Sequence, residues 1–143
     1  MILLAVSAGL MWLNVDNPVF VVAGDSMRPT LDVGDLVLIE GAMPGELKTG
    51  DIVAFYSRSP VDTLHDITIH RIESITLEPD GQFIIKTKGD NNPDEDPFYL
   101  TQDDIKGRVI ARVPQLGLYL KNPINMLGIG AILLILLWPQ RRQ

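Results

Sequence analysis

The stretch Ile67–Ile75, reading ITIHRIESI, is dense in β-branched residues, and Ile69 and Ile72 flank a His70 and Arg71 pair. Branching at Cβ favours a pleated, extended backbone over a helix, so this segment is expected to be a strand. Working outward, Asp51–Tyr56 and Phe83–Lys88 have the same character, followed by Leu36–Glu40 and Arg108–Val113, and finally Val19–Ala23. Turn residues cluster between them, at Leu31–Asp35, Met43–Gly50, Pro79–Gln82 and Gly89–Pro97. No apolar helical stripe longer than two turns interrupts this middle region. Residues 17–116 are therefore expected to form a mainly β domain of six or so short strands, as coiled antiparallel sheets or a partly open β-barrel.

The two ends read differently. Met1–Leu13 is uncharged and then meets Asn14, Asp16 and Asn17; as a helix it would cover about 20 Å of a hydrocarbon core roughly 30 Å thick. With no basic residues ahead of it, it reads less as a cleaved leader than as the end of an anchor helix truncated at its N-terminus, placed at residues 1–16. Ile124–Trp138 is uncharged and rich in Leu and Ile, and extension back to Gly117 gives a spanning length at the expense of including Lys121, which can snorkel. Residues 117–138 are thus expected to be a transmembrane helix. Trp138, Arg141 and Arg142 then place the 139–143 tail on the cytoplasmic side and the acidic middle outside.

Composition narrows the chemistry. In 143 residues, 12 Lys and Arg stand against 18 Asp and Glu, a net charge of −6, the wrong sign for neutralising phosphates, so nucleic acid is not an expected partner. With no cysteine, a disulfide scaffold, a thiolate zinc cluster and a cysteine nucleophile are excluded. The only histidines, His65 and His70, are too few for a three-histidine metal site and too far apart in spacing for one helix face.

The densest region is Val21–Asp35, VVAGDSMRPTLDVGD. Gly24 lends backbone freedom just before Ser26, and Pro29 fixes φ just after it, which suits a hydroxyl held on a turn near backbone N–H donors. A turn serine bonded to its own backbone is the bland alternative. A serine attacks poorly at neutral pH without a base, and His70, on its strand, is the candidate; His65, beside Asp66 in a polar loop, has the weaker claim. The third element is Lys86–Tyr99, KTKGDNNPDEDPFY, which offers carboxylates able to fix a histidine tautomer. A calcium loop competes, because Asp90, Asn92 and Asp94 follow the first three EF-hand positions. Against it, Glu95 stands where glycine is needed, Pro93 lies inside the loop, and Thr101 occupies the twelfth position.

These stretches together resemble the S26 serine peptidases, the type I signal peptidases, in the branch found in archaea, the endoplasmic reticulum and some Gram-positive bacteria. The resemblance runs over about Phe20–Gly117 through GDSMRPTLDVGDLVLI around Ser26, TGDIVAFY at Thr49–Tyr56, HRI at His70–Ile72, KGDNN at Lys88–Asn92 followed by Asp96, and IKGRVIARVPQLG. The bacterial branch has a lysine base directly before an arginine; here His70 precedes Arg71, which selects the histidine-using branch. The family implies Ser26 as nucleophile, His70 as general base, Asp96 as the orienting carboxylate and Asp90 as structural support or co-catalyst, with the Ser26 N–H as one oxyanion donor and no metal or organic cofactor. It further implies a membrane-bound endopeptidase that removes signal peptides from exported preproteins after small residues. Its expected partners are those preproteins, membrane lipid and other secretion-complex subunits. The expected location is the cell membrane, extracytoplasmic face, or the lumenal face of the endoplasmic reticulum in a eukaryote. The alternative from another class is a non-catalytic, membrane-tethered β-domain subunit of a secretion or assembly complex. Self-cleavage, as in repressor peptidases on a similar scaffold, is weakened by histidine in place of lysine and by the lack of a DNA-binding region.

Overall fold

The computed structural model describes residues 15–56 and 67–121. Six strands form one open antiparallel sheet: β1 (Val19–Val21), β2 (Leu36–Glu40), β3 (Ile52–Tyr56), β4 (Ile67–Leu77), β5 (Phe83–Lys88) and β6 (Ile105–Val113), in the spatial order β1-β2-β6-β3-β4-β5. The mainly β expectation holds. Predicted and observed strand bounds differ by three residues at most, the largest difference being the earlier start of β6 at Ile105. Among the described residues of the middle, the helical content is two single 3₁₀ turns, Pro44–Glu46 and Gln102–Asp104, the second closed by a capping box between Thr101 and Asp104.

Strand alternation divides the apolar residues between two faces. On one face Val53 and Phe55 of β3, Ile72 of β4 and Ile85 of β5 pack with Leu47 and Leu100, all buried. On the other, Ile52 and Ile69 pack against Val22, Met27, Leu31 and Val37, so the segment after β1 is anchored by its own apolar side chains. Bulges interrupt the ladders between Leu38 and Ile39, between Ala54 and Phe55, and between Ile72 and Ser74. Each adds local twist and bends a strand, and the last lies two residues beyond His70.

Helix α1 (Leu116–Lys121) starts one residue before the expected span and is docked on the β1 end of the sheet. Gly117 donates to the Gly34 carbonyl at 2.9 Å, and a Cβ on Gly34, whose φ is +92°, would run into the Leu118 side chain. Among the described residues no helix is long and apolar enough to cross a membrane. The expected N-terminal anchor, up to residue 14, and the expected transmembrane helix beyond Lys121 lie outside the described residues, as does the 139–143 tail.

Candidate active site

Ser26 leaves β1 on a short turn in which Arg28 N–H donates to the Asp25 carbonyl and Leu31 N–H to the Met27 carbonyl. Met27 and Leu31, each 2 % exposed, drive this turn into the core and leave Ser26 between them and the solvent. The peptide between Arg28 and Pro29 is cis. Gly24 does not adopt a positive φ, and it lines a groove beside Ser26.

His70 lies opposite Val53 in the β3–β4 ladder, so its ring points to the face that holds Phe55, which it meets edge-on at 6.1 Å between centroids. Its Nε2 is 3.0 Å from Ser26 Oγ and its Nδ1 is 2.7 Å from Asp96 Oδ2. The His70 and Asp96 side chains are 9 % and 8 % exposed, so water competes little for this pair. An ionised carboxylate only accepts, which puts the imidazole proton on Nδ1 and leaves the Nε2 lone pair facing the serine hydroxyl.

Asp96 arrives by a loop that first touches the serine segment. Asn91 N–H donates to the Ser26 carbonyl at 2.8 Å, and Asn91 Nδ2 reaches the Asp25 carbonyl at 3.3 Å. Gly89 is needed for that approach, since a Cβ there would stand 2.7 Å from the Ser26 carbonyl oxygen. Beyond it, Asp96 N–H donates to the Thr87 carbonyl at 2.9 Å, and Thr87 Oγ1 donates to Asp96 Oδ2 at 2.6 Å.

Asp90 is directed elsewhere. Arg71 grips it with two parallel bonds, Nε to Oδ1 at 2.8 Å and Nη2 to Oδ2 at 2.7 Å, and Thr30 Oγ1 adds a third at 2.5 Å. These bonds hold the Asp90 carboxyl below the usual carboxylate range, against the opposing effect of burial, and raise the Arg71 guanidinium. Arg71 also donates to the Gly50 carbonyl at 2.7 Å. One ion pair thereby ties together the segments of Thr30, Gly50, Arg71 and Asp90. Asp35, fully buried, does similar work at the other end of the serine segment, accepting from Arg112 Nε at 2.7 Å and from the Asp32 and Gln115 N–H groups.

Of the residues singled out in the sequence, Ser26, His70 and Asp96 are brought together, Asp90 is not in contact with the histidine ring nitrogens, and His65 lies outside the described residues. Thr87, Asn91 and Arg71 were not assigned roles from sequence. The neighbours of Thr87 and Arg71 in the chain do not reveal what these side chains bond to, since the partners are up to 41 positions away. Among the described residues no three acidic or histidine side chains are grouped to hold a metal ion.

Beside Ser26 runs a groove of about 200 Å³, walled by Phe20, Val22, Gly24 and Met27 on one side and by Ile67 and Ile69 on the other. β1 is an edge strand, and β5 pairs with β4 only from Arg71 onward, so the groove runs between two strand edges.

A hydroxyl, an imidazole and a carboxylate in hydrogen-bonded series beside a peptide-sized cleft are the arrangement of a serine peptidase. Comparison with known families agrees: residues 6–113 match the Peptidase S24-like model, and the chain belongs to that family. It is similar to the signal peptidase complex catalytic subunit sec11 of Dictyostelium discoideum, at 32 % identity over 110 residues, which cover 72 % of this chain and 59 % of the relative. The corresponding subunit SEC11 of Lachancea thermotolerans is 34 % identical over 114 residues, covering 73 % of this chain and 64 % of the relative. The human subunit SEC11C is 29 % identical over 111 residues, covering 72 % and 55 %. The resemblance to endoplasmic-reticulum-type signal peptidases is borne out by these relatives. The chain spans less than two thirds of the length of each.

Proposed function

We propose that the chain is a membrane-bound serine endopeptidase that removes signal peptides from exported preproteins by cleavage after small residues. The observation that carries this reading is the 3.0 Å contact from His70 Nε2 to Ser26 Oγ, backed by the 2.7 Å contact from Nδ1 to Asp96, at the side of an apolar groove. In the first step Ser26 Oγ bonds to the scissile carbonyl carbon while His70 Nε2 takes the hydroxyl proton, and Asp96 steadies the imidazolium that forms. Collapse of the tetrahedral intermediate breaks the C–N bond, and His70 returns the proton to the leaving amine. Water, deprotonated by the same histidine, then releases the acyl group. The Ser26 backbone N–H serves as one oxyanion donor.

An extended peptide fits the groove because strands on both sides offer main-chain edges to pair with. The preprotein partners, the other complex subunits and the lipid belong to this proposal, as does a membrane location with the β domain on the extracytoplasmic or lumenal face. The anchor at residues 1–16, the span at 117–138 and the tail at 139–143 complete it. The packing of α1 on the β1 end of the sheet is compatible with this arrangement. No cofactor enters the chemistry.

The test is cleavage of a preprotein by the detergent-solubilised full chain. Ser26→Ala and His70→Ala are expected to lower the rate by more than roughly a thousandfold, with thermal unfolding little changed. Retention of over a tenth of the wild-type rate by either would make the assignment wrong.

A further inference from the structure

His70 is not the only group that holds Asp96. Asp96 Oδ2 accepts from Thr87 Oγ1 at 2.6 Å as well as from His70 Nδ1 at 2.7 Å, and Asp96 N–H donates to the Thr87 carbonyl at 2.9 Å. Residues 87 and 96 are thus joined at two points, one through the backbone and one through the side chains. Since a carboxylate has no proton to offer, the Thr87 hydroxyl must be the donor, which removes its rotational freedom. The 2.6 Å separation lies in the range of charge-assisted O–H···O⁻ bonds, about twice as strong as neutral ones.

The position of Thr87 suits this task. It is 1 % exposed, on β5, directly opposite Ile72, which sits two residues beyond His70 on β4. Thr87 and His70 therefore stand on neighbouring strands of one sheet, whereas Asp96 sits on a loop. Branching at Cβ limits the Thr87 side chain to few rotamers, and burial selects among them. Without this donor, the Asp96 carboxylate could rotate about its terminal torsion, which is soft in aspartate, and lose its aim at Nδ1.

Building on the peptidase reading above, we infer that Thr87 is a positioning residue of the relay. It fixes the carboxylate orientation that keeps the His70 proton on Nδ1 and the Nε2 lone pair toward Ser26. It touches neither substrate nor the reacting atoms.

The experiment is a kinetic cycle in the solubilised full chain with a preprotein substrate. Thr87→Val is expected to lower kcat roughly 10- to 100-fold, to leave KM within about twofold, and to displace the acid limb of the kcat/KM profile. Thr87→Ser, which keeps the donor, should recover kcat to within about threefold. In an Asp96→Asn background Thr87→Val should cause little further loss, because both changes break one linkage. Should Thr87→Val fail to fold, Thr87→Ala takes its place in the cycle. Wild-type kcat in the variant without the hydroxyl, failure of Thr87→Ser to restore activity, or an undiminished effect in the Asp96→Asn background would each overturn the role. Cleavage by Ser26→Ala would instead refute the peptidase reading, so the two failures are distinguishable.

Discussion

At His70 the two ring nitrogens have different partners, and that difference separates the two loop aspartates. Asp96 Oδ2 meets Nδ1, while Asp90 is bound by Arg71 and Thr30. Asp96→Asn, which presents an amide to Nδ1 and can favour the wrong tautomer, is expected to lower kcat by several powers of ten, as removal of a triad carboxylate can. Asp90→Asn is expected to act through stability instead. The Arg71 and Asp90 side chains are 31 % and 16 % exposed, so solvent screening tempers the loss, which should be about 1–3 kcal/mol at neutral pH. The sign of its pH dependence follows from the direction of the shift. A carboxyl held lower in the folded than in the unfolded state adds stability above its unfolded value, and this is lost as pH falls through the folded value. The gap in Tm between wild type and Asp90→Asn should therefore narrow on acidification below about pH 4. A gap that stayed constant from pH 7 to pH 3 would contradict the ion-pair account.

Between elements, the critical seam is where the 89–96 loop lies against the serine segment. Asn91 donates to the Ser26 carbonyl, and Gly89 leaves that carbonyl the space it occupies. Gly89→Ala would put a methyl group 2.7 Å from a backbone oxygen, where no flexible side chain can yield. Either the loop or the Ser26 turn must shift by several tenths of an ångström. Because the His70 to Ser26 contact depends on that placement, Gly89→Ala is expected to lower kcat roughly 10- to 100-fold. Kinetics of this variant beside wild type decide the matter; an unchanged kcat would show that the seam does not position the hydroxyl.

For the whole molecule, the prediction concerns orientation. If the 117–138 segment spans with its basic tail in the cytoplasm, protease added from the outside should reach the loops around Glu46 and Asp94 and spare a tag placed after Gln143. An exposed tag with protected loops would reverse the proposed topology. In the described residues, helix α1 is tied to the sheet by the bond from Gly117 N–H to the Gly34 carbonyl.

The amino-acid sequence by itself determined the strands, because β-branched density and turn residues act within a few positions, and β4 could be read from ITIHRIESI alone. It also carried the family through short ordered motifs around Ser26, His70 and Asp96, and it placed the apolar ends. Tertiary structure alone decided the rest. The order β1-β2-β6-β3-β4-β5 puts β6 between β2 and β3, a pairing of strands distant in the chain that no local pattern encodes. The roles of Asp96 and Asp90 were expected only from the family resemblance; no local pattern separates two carboxylates six positions apart, and their contacts differ because Arg71 binds one and His70 the other. Thr87 gave no signal for the same reason: a hydroxyl in a strand has meaning only through the group opposite it, and the 89–96 loop brings that group back in three dimensions.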